Sequence, residues 1–108
     1  MTKVSFETDH GKYRKLIISG HSGYADEGSD IVCAAISSTV NLAVSVLEHG
    51  KTKFTHKVGN LTATVILELE DADDTLGQTV FSAMKDELSA ISEDFPENAK
   101  VTVAERIR

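Results

Sequence analysis

A two-layer α+β domain, with one mixed β-sheet packed with two helices in the order β-β-α-β-β-α-β, follows from three observations on this 108-residue chain. Short stretches alternate apolar and polar residues, two long stretches repeat apolar residues every three or four positions, and turn-formers fall between them. Hydrophobic residues make up 41% and charged residues 26%, enough apolar material to bury a core in one domain spanning 1–108. Trp is absent and aromatics are 6%, so that core must be mainly aliphatic.

Residues 3–8 alternate, with Val4 and Phe6 on one side and Ser5 and Glu7 on the other. Asp9-His10-Gly11-Lys12 is a tight-turn signal, since glycine accepts the positive φ of a two-residue hairpin, and a second strand runs through Tyr13–Ser19. The chain enters a loop at Gly20 and leaves it at Asp30. From Ile31 to about Glu48, Val32, Ile36, Val40, Ala43 and Leu47 form a helical stripe, with Ser37, Ser38, Asn41, Ser45 and Glu48 on a different side. Ile31, Ala35, Leu42 and Val46 widen the apolar area until little is left for water. Such a helix is either central to the fold or covered by a partner subunit. Gly50 supplies its stop.

Residues 52–57 and 61–69 read as a hairpin about Gly59-Asn60, with Leu61, Ala63, Val65, Leu67 and Leu69 sharing a face. Asp71–Asp74 cap and favour the start of a second helix. Its stripe is Leu76 or Gly77, then Val80, Phe81, Met84, Leu88 and Ile91. Pro96 lies beyond its end, and Val101 and Val103 mark a last strand. Both helices would lie on one or both faces of the sheet.

Seventeen acids against eleven bases give a net charge of −6, and no basic cluster appears. Nucleic-acid binding, which needs a surface that releases phosphate counterions, is not expected; a basic partner suits the charge better. The uncharged run Ile31–Leu47 would barely reach across a bilayer and carries five hydroxyl or amide side chains, so it reads as a buried helix and no membrane is expected. The N-terminus has no basic region followed by an apolar run. A single cysteine excludes an internal disulfide and suggests a reducing, cytoplasmic setting.

The chemistry lies in residues 20–37. With Asp30 as helix N-cap, Cys33 falls in the first helical turn, where free amides and the helix dipole favour an anion such as a thiolate. The Asp30 carboxylate opposes this by like-charge repulsion. His21, twelve residues earlier at the end of a strand, could supply an imidazolium and hold the sulfur as a nucleophile. Gly23 and Gly28 bracket a loop able to open and close, and Ser37 is one turn beyond Cys33 on the same face. Each residue has a plainer reading: a buried small cysteine, a solvent-facing histidine, an Asp30 that only caps, a Ser37 that is merely small. A metal site would have to gather His10, His21, His49, His56 and Cys33 without any short-range ligand pair, and His49 and His56 read as surface positions. The glycines make no phosphate-binding loop, and no serine nucleophile elbow is present.

The string Gly-His-Ser-Gly-Tyr-Ala-Asp-Glu-Gly-Ser-Asp-Ile-Val-Cys-Ala-Ala-Ile-Ser at 20–37 resembles the signature of the ribosomal-processing cysteine protease family, Prp. It departs from that pattern at Ser22, where Ala is commoner. The likeness extends over essentially the whole chain in length and element order. It implies a small, cytoplasmic, homodimeric bacterial cysteine endopeptidase. Such an enzyme removes the N-terminal extension of large-subunit ribosomal protein twenty-seven. By the same resemblance Cys33 is the nucleophile and His21 the general base and acid, with Asp30 and Ser37 in supporting roles. The substrate loop comprises Ser22, Gly23, Tyr24, Asp26, Glu27 and Gly28, and neither metal nor organic cofactor is required. The acids Asp26, Glu27 and Asp30 would speed encounter with a basic peptide, and amides at the helix start would hold the oxyanion. Two rivals stay open. One is a non-catalytic module that binds a basic ribosomal peptide; the other is a redox-sensing thiol, which would need glutathione or a second subunit.

Overall fold

The computed structural model describes residues 1–26, 30–59 and 63–106. It contains β1 (Thr2–Asp9), β2 (Lys12–Ser19), α1 (Ile31–His49), β3 (Phe54–Gly59), β4 (Thr64–Leu69), α2 (Thr75–Asp94) and β5 (Ala99–Glu105), the order expected from the sequence. The five strands form one sheet in the order β3-β4-β2-β1-β5. Its neighbours are antiparallel except β1 and β5, which run parallel; α2 carries the chain from β4 past β2 and β1 to β5. The sheet is therefore mixed.

Both helices cover the same face of this sheet and pack against each other. Val4 and Phe6 on β1, Leu16 and Ile18 on β2, and Leu67 and Leu69 on β4 point to that face and are buried. They meet Val32, Ile36, Val40, Ala43 and Leu47 of α1, the stripe read from the sequence. From α2 come Gly77, Val80, Phe81, Met84, Leu88 and Ile91; Gly77 takes the buried place and Leu76 is half-buried. The few aromatics cluster, with Phe6 edge-on to Phe81 at 6.3 Å and to Tyr13 at 5.7 Å.

Three details depart from the sequence reading. The second hairpin is shorter than its apolar pattern. Thr52 stays outside β3, buried, because its hydroxyl donates to Asp74 Oδ1 at 3.1 Å and ties the end of α1 to the cap of α2. Ala63 precedes β4 with φ 47°, a turn conformation, and Leu61 lies outside the described residues. Gly50 ends α1 with an ordinary right-handed φ of −81°, and the left-handed residue is Lys51 at φ 60°. Glycine is favoured at 50 by space instead, since a Cβ there would stand 2.0 Å from Leu76 Cδ2. Finally, Ile31, Leu42 and Val46 of α1 are exposed, so the fold by itself leaves part of that helix uncovered.

Candidate active site

The site begins where β2 ends. Gly20 has φ +86°, and a Cβ on it would lie 2.7 Å from the Met1 carbonyl oxygen, so only glycine turns the chain there without strain. Its N–H donates to the Ala63 carbonyl at 3.1 Å, and its own carbonyl accepts from the Thr2 hydroxyl at 3.3 Å. The next two residues then part: His21 is exposed and Ser22 is buried to 1%.

Asp30 closes the loop. It caps α1 as expected, its Oδ1 accepting from the amides of Val32 at 2.9 Å and Cys33 at 3.0 Å. Its other oxygen organises the loop, accepting from the Tyr24 amide at 3.1 Å, the Ala25 amide at 3.4 Å and the Ser22 hydroxyl. The Ser22 hydrogen bond is the main reason that the Asp30 carboxyl is held down to about 2; burial opposes it and the Cys33, Ala25 and Val32 amides assist. Two further contacts brace the loop against the α2–β5 connection. Asn98 Nδ2 donates to the Ser22 carbonyl at 3.0 Å, and the Tyr24 and Phe95 rings meet edge-to-face at 5.3 Å.

Cys33 sits half-buried in the first turn of α1, and its Sγ donates to Ser22 Oγ at 3.4 Å. His21 and Cys33 line one cavity of about 700 Å³ between α1 and the β3–β4 hairpin, together with Asp30 and Ser37. Gly23 and Ala25 reach its edge, Tyr24 and Asp26 are exposed in the loop, and Glu27, Gly28 and Ser29 lie outside the described residues.

Two expectations change. The amides of Val32 and Cys33 are occupied by Asp30, and that of Ala34 bonds the Asp30 carbonyl at 3.1 Å, so these three are committed and do not form an oxyanion hole. Asp30 is buried and its carboxylate is taken up by five hydrogen bonds, so of these two acids only Asp26 stands exposed.

Sequence reasoning missed two lining residues and one contact. Asn41 reads with the polar side of α1, yet it lies two turns beyond Cys33 and lines the cavity with Ser37; the spacing 33, 37, 41 carries that signal. His56 is exposed on β3 and faces the same cavity, which is legible only once β3 is known to lie beside α1. The contact of Ser22 with the sulfur spans eleven residues and depends on the loop folding back, so no local pattern signals it. Among the described residues no three His, Cys, Asp or Glu side chains gather as a metal site would require.

The family model of cysteine protease Prp matches residues 1–100. A ribosomal processing cysteine protease Prp of Mycoplasma genitalium is 35% identical over 81 residues, 75% of this chain and 79% of its own. Among solved structures, the essential ribosomal processing protease Prp from S. aureus in complex with a covalently linked product peptide superposes with a TM-score of 0.89. That match has 23% identity and covers 95% of this chain and 99% of that one. The same S. aureus protease in complex with a substrate peptide gives a TM-score of 0.84 at 22% identity, over 95% and 99% of the two chains. These two likenesses bear on the fold.

Proposed function

This chain belongs to the cysteine protease Prp family, and from that membership we propose that it is a thiol endopeptidase trimming the N-terminal extension of large-subunit ribosomal protein twenty-seven. The observation that carries the reading is the shared cavity, which His21 and Cys33 both line although they stand twelve residues apart in the chain. His21 takes the thiol proton, and Cys33 Sγ attacks the scissile carbonyl carbon. As the tetrahedral adduct collapses, His21 returns the proton to the departing amine; water then releases the thioester, with His21 again as base. Ser37 and Asn41 lie along the α1 wall as hydrogen-bonding partners for an extended peptide. Asp30 acts by capping the helix and fixing the loop.

The covalently linked product peptide in the S. aureus protease supports a covalent route for this chain. The net charge of −6 and the exposed Asp26 suit a basic ribosomal substrate, favouring fast encounter over tight complexes. We place the enzyme in a bacterial cytoplasm, where a lone thiol stays reduced, and as a homodimer joined through the outer side of α1.

The test is cleavage of the extended precursor followed by mass spectrometry. Cys33→Ala should abolish it, and His21→Ala should lower kcat by at least about 10²-fold, the ordinary worth of a general base. Cleavage by Cys33→Ala at the wild-type rate sinks the protease reading. A wild-type protein that holds the precursor without cutting it supports the binding module instead.

A further inference from the structure

We infer that Ser22 keeps the Cys33 thiol in its protonated resting form, acting as a hydrogen-bond acceptor whose own proton is fixed on Asp30. The inference rests on the reading of Cys33 as nucleophile and concerns how that nucleophile is restrained before substrate arrives.

A hydroxyl has one proton to give and two lone pairs to accept with. Ser22 uses all three. Its proton goes to Asp30 Oδ2, a charge-assisted bond and the strongest one open to it. Its lone pairs receive the Cys33 thiol at 3.4 Å and the Tyr24 amide at 3.4 Å. Towards the sulfur, then, Ser22 can only accept, and an S–H···O bond exists only while the sulfur carries hydrogen. A thiolate in this place would face a lone pair. It would gain a hydrogen bond from Ser22 only by drawing the Ser22 proton away from Asp30. Rotation is further resisted because the Ser22 side chain is buried and its carbonyl is held by Asn98.

The charged and titratable groups around the sulfur come from three directions: Asp30 at the cap of α1, His21 beyond β2, and His56 on β3 across the cavity. The first turn of α1 adds no acid, and Asp26 in the loop is exposed. All of these groups remain in Ser22→Ala, which removes the acceptor facing the sulfur together with the hydrogen bond to Asp30; Ser22→Thr keeps both. Alanine, smaller than serine, also fits the space.

Cys33 is the only cysteine, so its alkylation by iodoacetamide is read without ambiguity by mass. Near neutral pH, Ser22→Ala should be alkylated about three- to tenfold faster than wild type, the factor equivalent to one ordinary hydrogen bond. The two rates should converge in alkali, where both sulfurs are ionised. Ser22→Thr, which keeps the hydroxyl, should restore the wild-type rate. Should Ser22→Thr fail to fold, the infrared S–H stretching band decides. Movement of that band to higher wavenumber in Ser22→Ala supports the bond, and an unchanged position overturns it. Alkylation of Ser22→Ala at or below the wild-type rate near neutrality overturns the inference. Alkylation needs no proteolysis, so the two readings fail separately. Cleavage by Cys33→Ala would remove the protease and leave the Ser22 result standing; an inert Cys33→Ala beside an unaltered Ser22→Ala removes only this inference.

Discussion

Asp30 makes five side-chain hydrogen bonds where a helix cap needs one or two. All of them favour the charged carboxylate, which is why its proton affinity falls from 3.8 to about 2 in the folded chain. A depressed folded value means stability that is fully present above the unfolded value and lost as pH falls through the folded one. Asp30 should therefore contribute fully above about pH 4 and lose its contribution between there and about pH 2. Urea midpoints measured across that window should fall for wild type. Asp30→Asn should start lower at pH 5 and fall less. An equal acid drop in both proteins would mean that other carboxylates govern the transition. Asp73, lowered by its hydrogen bond to Lys12, and Glu105, lowered chiefly by the Thr8 hydroxyl, are the other candidates. The Lys12–Asp73 pair is exposed, so screening leaves it little to contribute. The capping role of Asp30 was legible because capping is local, set by a residue and the three that follow it. Its hold on Ser22, Tyr24 and Ala25 was not, since that depends on the loop folding back over eight residues.

At the level of strands and helices, periodicity carried most of the information. The stripes of α1 and α2 emerged residue for residue because each helix buries one face against one sheet face, the arrangement that a 3.6-residue period reports. The errors fell at ends, where tertiary contacts override pattern: the Thr52–Asp74 bond at the start of β3 and the Leu76 side chain over Gly50. The end of β2 is the joint on which the site depends. Gly20→Ala meets two obstacles there, a positive φ and the Met1 carbonyl 2.7 Å from its new methyl. It should cost about 1–3 kcal/mol in urea denaturation, the range for a strained backbone residue. The backbone displacement passes directly to His21, so kcat for precursor cleavage should drop more than tenfold, since ångström-scale misplacement alone costs about 10²-fold. Wild-type stability in Gly20→Ala would show that the start of the chain yields to the methyl group. Retained stability with reduced kcat would separate positioning of His21 from folding.

Viewed whole, the molecule explains why α1 is apolar almost all round. At 3.6 residues per turn the helix presents three faces. Val32, Ile36, Val40, Ala43 and Leu47 enter the core; Cys33, Ser37 and Asn41 line the cavity; Leu42 and Val46 look outward, with Leu42 68% exposed. The outer face forms one wall of a second groove of about 550 Å³, whose other wall is α2 with Leu76, Val80, Ala83 and Met84. An isolated chain exposes this surface at a hydrophobic cost, and in the proposed homodimer burial against a second copy would remove the cost from both partners at once. At tens of micromolar, sedimentation equilibrium should give twice 11.7 kDa for wild type. Leu42→Glu should give the single mass, because each proposed partner would have to bury an unpaired carboxylate on this face. Leu42 stands about half a turn around the helix from Cys33, so the substitution tests the outer face without touching the cavity wall. A wild-type protein that sediments at 11.7 kDa would leave the outer groove free in solution and remove the dimer from the proposed function.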